Sequence, residues 1–244
     1  MMTAEPYDRL APHYRRFAET RATYLDAVDR YVIEHARPGG RMLDVGSGDG
    51  VRAVRIARAI GASYLVLSEP SEGMHRLASL QLADEIWQVP AEQLYDTVQR
   101  FDVITCLWNV LGHLPGRDAR VLALAGMRRL LAPGGEIFCD VNNRHNARAY
   151  GRTRVLLRRF IDGVMPDERR GDARFEWQVA GERIAASGHL FTPREVRMLA
   201  ADAGLGVVEE RAIDYVTGEP SDCPREGQLL YRLAAREASE GDRL

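Results

Sequence analysis

The chain has 244 residues, 45% hydrophobic and 28% charged. That is the make-up of one ordinary α/β unit with a sizeable core, and it excludes disordered and fibrous classes. A formal charge of −2 provides no global field for a polyanion, and no run approaches the roughly 20 apolar residues of a membrane span, so neither nucleic acid nor membrane is an expected partner.

The start, Met1-Met2-Thr3-Ala4-Glu5-Pro6, lacks the basic and apolar regions of a signal peptide, which predicts a cytoplasmic protein. Residues 7–35 read as helical, with Tyr7 and Tyr14 seven residues apart on one face. A strand follows at 41–45 and runs into Asp44-Val45-Gly46-Ser47-Gly48-Asp49-Gly50, where alternating glycines allow a tight strand-to-helix turn and close approach to a ligand. Two phosphate-binding readings fail here. The third glycine of G-x-G-x-x-G falls on Val51, Asp49 stands where a pyrophosphate would sit, and the chain has no lysine for a P-loop. A phosphate-free nucleoside fits better.

The strand at 64–68 delivers Glu69, nineteen residues after Gly50, where a carboxylate can accept both hydrogen bonds of a ribose diol. Strands are expected next at 85–88 and 102–106. A helix carrying Val121, Leu124, Met127 and Leu131 then stops at Pro133-Gly134-Gly135, before a strand at 136–141. Between Arg144 and Arg174 nine arginines face four acids, read first as a solvated helical face and second as an anion-binding surface. This insertion holds a helix-like run at 154–165 and a strand or hairpin over 175–189 that turns at Gly181. Thr192-Pro193-Arg194-Glu195 is a capping box with proline at the first helical position, and the helix it starts should end near Gly204. Strands at 205–213 and 228–233 complete the set.

Alternating strands and helices force a parallel sheet covered on both faces, here a doubly wound, mostly parallel sheet of seven strands. Residues 1–244 read as a single domain: an N-terminal helical lid (1–38), a cofactor-binding half (39–143), an insertion after the fifth strand (144–190) and a C-terminal helix and hairpin (191–236). Both lids should cover the carboxyl edge of the sheet, where open α/β sheets bind ligands. Three cysteines without CxxC spacing and six histidines without H-x-H or H-E-x-x-H spacing predict no disulfide framework and no metal.

Four ordered segments carry a resemblance: Asp44–Gly50, Ser68-Glu69-Pro70-Ser71-Glu72-Gly73-Met74, Phe101-Asp102-Val103-Ile104 and Leu130-Leu131-Ala132-Pro133-Gly134-Gly135. Together they resemble the motifs of class I S-adenosylmethionine-dependent methyltransferases, in register over about residues 7–233. The resemblance implies an S-adenosylmethionine cofactor and a C-terminal hairpin with one antiparallel member. It implies that Asp44 and the backbone of Gly46, Ser47 and Gly48 face the methionine portion, with Tyr14 near it, and that Glu69 holds the ribose with Pro70 and Met74 against the adenine. Ala91 and Glu92 follow Pro90, which stands where the family often has an acidic residue, so the adenine amino group passes to Glu92 or to backbone atoms; Leu107 completes the cofactor set.

The loop Cys106-Leu107-Trp108-Asn109-Val110-Leu111-Gly112-His113-Leu114 resembles the substrate-facing loop of glycine and sarcosine N-methyltransferases. Asp140-Val141-Asn142-Asn143-Arg144 resembles their strand-five motif, with the arginine two residues later. On that likeness Asn109 and Arg144 bind an anionic end of the acceptor, while His113 is a substrate-facing base or a packed histidine capping the turn. Trp108 and Trp177 are candidates for walls of the acceptor pocket. The function expected is methyl transfer to a small molecule, at nitrogen before oxygen. Its alternatives are an RNA or protein methyltransferase gripping its partner through the arginine-rich insertion, and a non-catalytic cofactor-binding protein.

Overall fold

The computed structural model describes residues 5–94 and 97–236. Three helices open the chain, α1 (Glu5–Leu10), α2 (Tyr14–Glu19) and α3 (Ala22–His35), followed by β1 (Arg41–Val45), α4 (Val51–Ala59), β2 (Tyr64–Ser68), α5 (Glu72–Ala78), β3 (Glu85–Trp87) and β4 (Phe101–Cys106). The second half runs α6 (Val110–His113), α7 (Gly116–Leu130), β5 (Leu131–Val141), α8 (Ala147–Tyr150), α9 (Arg152–Val164), β6 (Asp172–Val179), β7 (Glu182–His189), α10 (Pro193–Asp202), β8 (Leu205–Ile213), β9 (Pro220–Ser221) and β10 (Gln228–Ala235).

The main sheet has the order β3-β2-β1-β4-β5-β10-β8-β9. The five strands from β3 to β5 are parallel, and β10 lies antiparallel between β5 and β8. Strand alternation sorts the core into two layers. Met42, Leu67, Val103 and Phe138 face one layer with α3 and α4, while Leu43, Val66, Ile104 and Ile137 face the other with α7 and α10. Near-continuous apolar strands are the consequence.

Two expectations change. The sheet has eight strands, because the two-residue β9 pairs with Ala212 and Ile213 at the edge. So short a strand, opened by a proline, carries no periodic signal. Helix α7 stops at Leu130, and Leu131 already belongs to β5, paired with Phe101. Its burial reads equally as the last apolar helix position or the first of a strand.

The insertion forms α8, α9 and a separate two-stranded hairpin of β6 and β7. The hairpin turns at Ala180 and Gly181, both at positive φ, as a two-residue turn of that hand requires. Its inner residues Val179 and Ile184 join Leu10 of α1 and Met74 of α5 in a third, smaller apolar cluster, so the N-terminal helices and the hairpin meet over the carboxyl edge of β1 and β2. The capping box at α10 forms as expected, Glu195 N–H to Thr192 Oγ1 and Thr192 N–H to the Glu195 carboxylate. Among the described residues no helix is long and apolar enough to cross a membrane.

Candidate functional site

Beyond β1 the chain turns through Gly46 and Gly48, both at positive φ. A Cβ on Gly48 would lie 2.7 Å from the Tyr14 hydroxyl, and one on Gly46 would collide with Val110, so bare backbone is a steric requirement at both. The N–H groups of Gly46 and Ser47 donate to Ser68 O at 2.8 and 3.0 Å and tie the turn to β2. Glu69, at the tip of β2, accepts from the N–H groups of Gly48 (2.8 Å) and Ser71 (2.9 Å). Burial nevertheless pushes its carboxyl up to about 7 against the opposing pull of those two donors. Asp44, in β1, accepts from the Thr105 hydroxyl and is likewise lifted by burial to about 7. Two buried carboxylates thus flank the glycine turn, each favouring a ligand that donates hydrogen bonds or carries positive charge.

Arg52, in the first turn of α4, pairs through Nε with buried Asp29, and the charges of Asp140 and Asp44 also bear on it. Its Nη2 is buried without a partner, as is the hydroxyl of Ser47. Unmatched buried donors are costly unless a ligand accepts from them.

Two cavities meet here. One, of about 300 Å³, is lined by Asp44, Ser47, Asp49 and Arg52. The other, of about 250 Å³, is lined by Glu69, Asn109, His113, Phe175 and Trp177. Tyr14, Gly46, Leu107 and Trp108 border both. The second cavity is walled by aromatic rings: Phe17 stacks on Trp108 at 5.7 Å between centroids, and Tyr7 meets Trp177 edge-on at 5.1 Å. Among the described residues, no arginine lines it.

The loop after β4 holds Trp108 and Asn109 at φ +63°, the left-handed region that non-glycine residues seldom enter. Strand β5 holds them there. Trp108 N–H donates to Asp140 Oδ1 at 2.5 Å, Asn109 N–H donates to Asp140 O at 3.1 Å, and Asn109 Oδ1 accepts from Asn142 N–H at 2.9 Å. Tyr24 donates to the other Asp140 oxygen at 2.6 Å. Such strain persists where surroundings over-determine it, commonly at functional sites.

His113, at the end of α6, donates from Nδ1 to Ser187 O of β7 at 3.1 Å. A carbonyl can only accept, so the neutral ring carries its proton on Nδ1 and an unshared pair on Nε2. Burial lowers its pKa and keeps it neutral. The ring stands edge-on to Tyr7 at 5.4 Å and close to Phe175 and Trp177.

Of the expected residues, Tyr14, Asp44, Gly46, Ser47, Gly48, Glu69, Leu107, Asn109 and His113 line the two cavities. Arg144 does not. Its backbone N–H donates to Phe191 O, and its guanidinium turns away to Asp162 of α9, at 2.9 and 3.3 Å, where His145 also binds. The two-residue offset places the arginine past the end of β5, and the pairing with Asn109 does not form. Pro70, Met74, Ala91 and Glu92 line neither cavity. Met74 is fully buried in the cluster beneath α1, and Ala91 packs in the core; Glu92 keeps a buried oxygen without a partner. What covers this end is Asp8, which accepts from Ser71 Oγ (2.7 Å) and Gly73 N–H (2.8 Å) and pins α1 to the start of α5.

Sequence reading missed Asp8, Arg52 and Asn142, and also Phe17 and Phe175 of the aromatic walls. Arg52 had a signal: a cation in the first turn of a helix opposes the helix dipole and needs another reason to be there.

The sheet order, glycine turn and covered edge give the fold of S-adenosylmethionine-dependent methyltransferases. The CcbJ methyltransferase of Streptomyces caelestis superposes with a TM-score of 0.66 at 17% identity, covering 87% of this chain and 90% of that one. DhpI in complex with SAM and HEP matches at 0.66 and 16%, with 95% of each chain covered. The family itself is shown by sequence: a model described as a methyltransferase domain matches residues 14–210, and the chain belongs to that family. Among curated relatives, the ubiquinone biosynthesis O-methyltransferase of Cupriavidus pinatubonensis (strain JMP 134 / LMG 1197) is 29% identical over 83% of this chain and 75% of its own length. That of Pseudomonas aeruginosa (strain LESB58) is 33% identical over 46% and 48%. The chain spans about half the length of the first curated relatives it matches.

Proposed function

We propose that this protein is an S-adenosylmethionine-dependent methyltransferase whose acceptor is a small molecule with an apolar or aromatic body, methylated at an amine nitrogen. The observation that carries the reading is the pair of cavities joined at Tyr14, one flanked by buried Asp44 and half-buried Arg52, the other aromatic with His113 in its wall. The cofactor supplies an activated methyl group and its own leaving group, so the chain's task is positioning, water exclusion and proton removal.

Each buried group has a partner of matching chemistry. Glu69 accepts from the ribose diol, Asp44 from the ammonium of the amino-acid end, and the free Nη2 of Arg52 donates to its carboxylate. The orphaned Ser47 hydroxyl serves the same end, and Glu92, with its unpartnered oxygen, remains the acceptor suited to the adenine amino group. On the acceptor side, Asn109 shapes the loop, and His113 Nε2 takes the proton that an ammonium or hydroxyl must lose for its lone pair to react. The aromatic walls favour a cationic amine through the ring faces. With Arg144 held by Asp162, no arginine among the described residues is in this cavity to pair with an acceptor carboxylate, which argues against small amino acids such as glycine.

A second reading, methylation at a phenolic oxygen, draws support from the names of the curated relatives and from a neutral histidine suited to a phenol proton. Macromolecular acceptors have less support, because among the described residues no arginine of the insertion lines either cavity. We place the reaction in the cytoplasm, where the proposed cofactor is made, and treat residues 1–244 as one working unit.

Transfer of labelled methyl from S-adenosylmethionine to a panel of lipophilic amines, phenols, small amino acids and bulk RNA tests the reading. Label in the amines supports it, label in phenols moves the acceptor atom to oxygen, and label only in amino acids or RNA overturns it.

A further inference from the structure

Helix α9 (Arg152–Val164) wears its amphipathic pattern inside out. Its only fully buried side chain is Val155, with Arg158 and Asp162 half-buried beside it on the same side. Leu156, Leu157, Phe160, Ile161 and Val164 form a continuous stripe on the opposite side, and Met165 extends it. Phe160 is 69% exposed and Val164 66%. A surface helix normally turns such a stripe toward the core, and a contiguous exposed apolar patch marks an interaction surface.

Charge identifies the occupant. At 100° per residue, Arg152 and Arg159 border the apolar stripe on one side and Arg154 borders it on the other. None of the three forms an ion pair with any described residue, whereas Arg144, Arg148, Arg169 and Arg170 of the same insertion all do. A convex apolar ridge flanked by two free guanidinium groups on one side and one on the other matches an anionic phospholipid surface: apolar side chains enter the acyl boundary, and arginines stay level with the phosphates. A second copy of the same helix would bring these unpaired arginines against their own copies, which Coulomb repulsion opposes.

We propose that α9 docks this protein onto an anionic bilayer, lying in the plane of its surface. This mode needs no spanning helix and does not depend on the methyl-transfer reading. It complements that reading, because the segment after α9 is the hairpin whose Phe175 and Trp177 wall the aromatic cavity, and an apolar acceptor concentrates in the same bilayer.

Flotation of the full chain with vesicles tests the assignment, using phosphatidylglycerol mixed equally with phosphatidylcholine, phosphatidylcholine alone, and low and high salt. The wild type should bind the anionic vesicles about tenfold better than the neutral ones and lose most of that binding in high salt. Leu157→Ser with Phe160→Ser, and separately Arg154→Gln with Arg159→Gln, should each weaken binding about tenfold while calorimetric affinity for S-adenosylhomocysteine stays unchanged, since all four side chains are exposed and outside the cavities. Wild-type binding in both variants would overturn the proposal. So would a wild type that ignores vesicles, whether it sediments as a dimer dispersed by Phe160→Ser, assigning the face to a second copy, or as a monomer.

Discussion

The glycine turn and the insertion solve the problem of holding polar groups in opposite ways. At the turn, carboxylates are buried among neutral donors, Glu69 fixed by the backbone N–H groups of Gly48 and Ser71 and Asp44, within β1, by the Thr105 hydroxyl. In the insertion, charged side chains hold one another, as Arg144, His145 and Arg170 do around Asp162, and one helix face is left to solvent. Backbone anchoring gives a site that tolerates no change of shape. Side-chain anchoring leaves the insertion's surface independent of the sheet, a division that suits the proposed cofactor and acceptor ends.

The largest effect expected is at His113, whose ring in α6 bonds Ser187 O of the insertion. His113→Ala should lower kcat by about 10²–10⁴ while leaving cofactor affinity near wild type; equal losses in both would make the histidine a packing residue. Gly48→Ala strikes the backbone-built half. A Cβ there must displace the Tyr14 ring at a positive φ, which costs about 1–2 kcal/mol and should weaken cofactor binding, read by calorimetry together with a drop in Tm.

The two regions also differ in pH response. Asp44 and Glu69 hold their protons more tightly folded than unfolded, so their contribution to stability falls as pH rises from about 4 toward about 7 and is flat above that. Cofactor affinity, which uses the ionised carboxylates, should rise by about tenfold per group between about pH 6 and pH 8. Affinity that is flat across that window would separate these carboxylates from the ligand. The smallest effect is expected at Arg144: Arg144→Ala removes an ion pair in the insertion and should leave the acceptor KM unchanged, contrary to what the strand-five likeness implied.

The same contrast explains what could be read in advance. Asp44, Glu69 and the glycines were legible because a tight turn at a strand end dictates residue type locally, and the capping box at Thr192 was legible for the same reason. The doubly wound sheet followed from the alternation of strands and helices. Arg144 misled because a displacement of two residues past a strand end changes which neighbour a side chain meets, and Asp162 sits eighteen positions downstream. Asp8 pinning α1 onto α5 joins segments sixty-three residues apart, which no local pattern encodes. For α9, periodicity shows that one face is apolar but not which face the body covers, and only tertiary packing reveals that the apolar side is the uncovered one.

The most direct measurement is calorimetric titration of S-adenosylhomocysteine into the wild type, Glu69→Ala and Arg144→Ala at one pH. Glu69→Ala should lose about 1–3 kcal/mol of binding free energy, through its hydrogen bonds to the ribose, and Arg144→Ala should bind as the wild type does. Wild-type affinity in Glu69→Ala would contradict that role, because the buried carboxylate at the tip of β2 would then have no ligand to explain it.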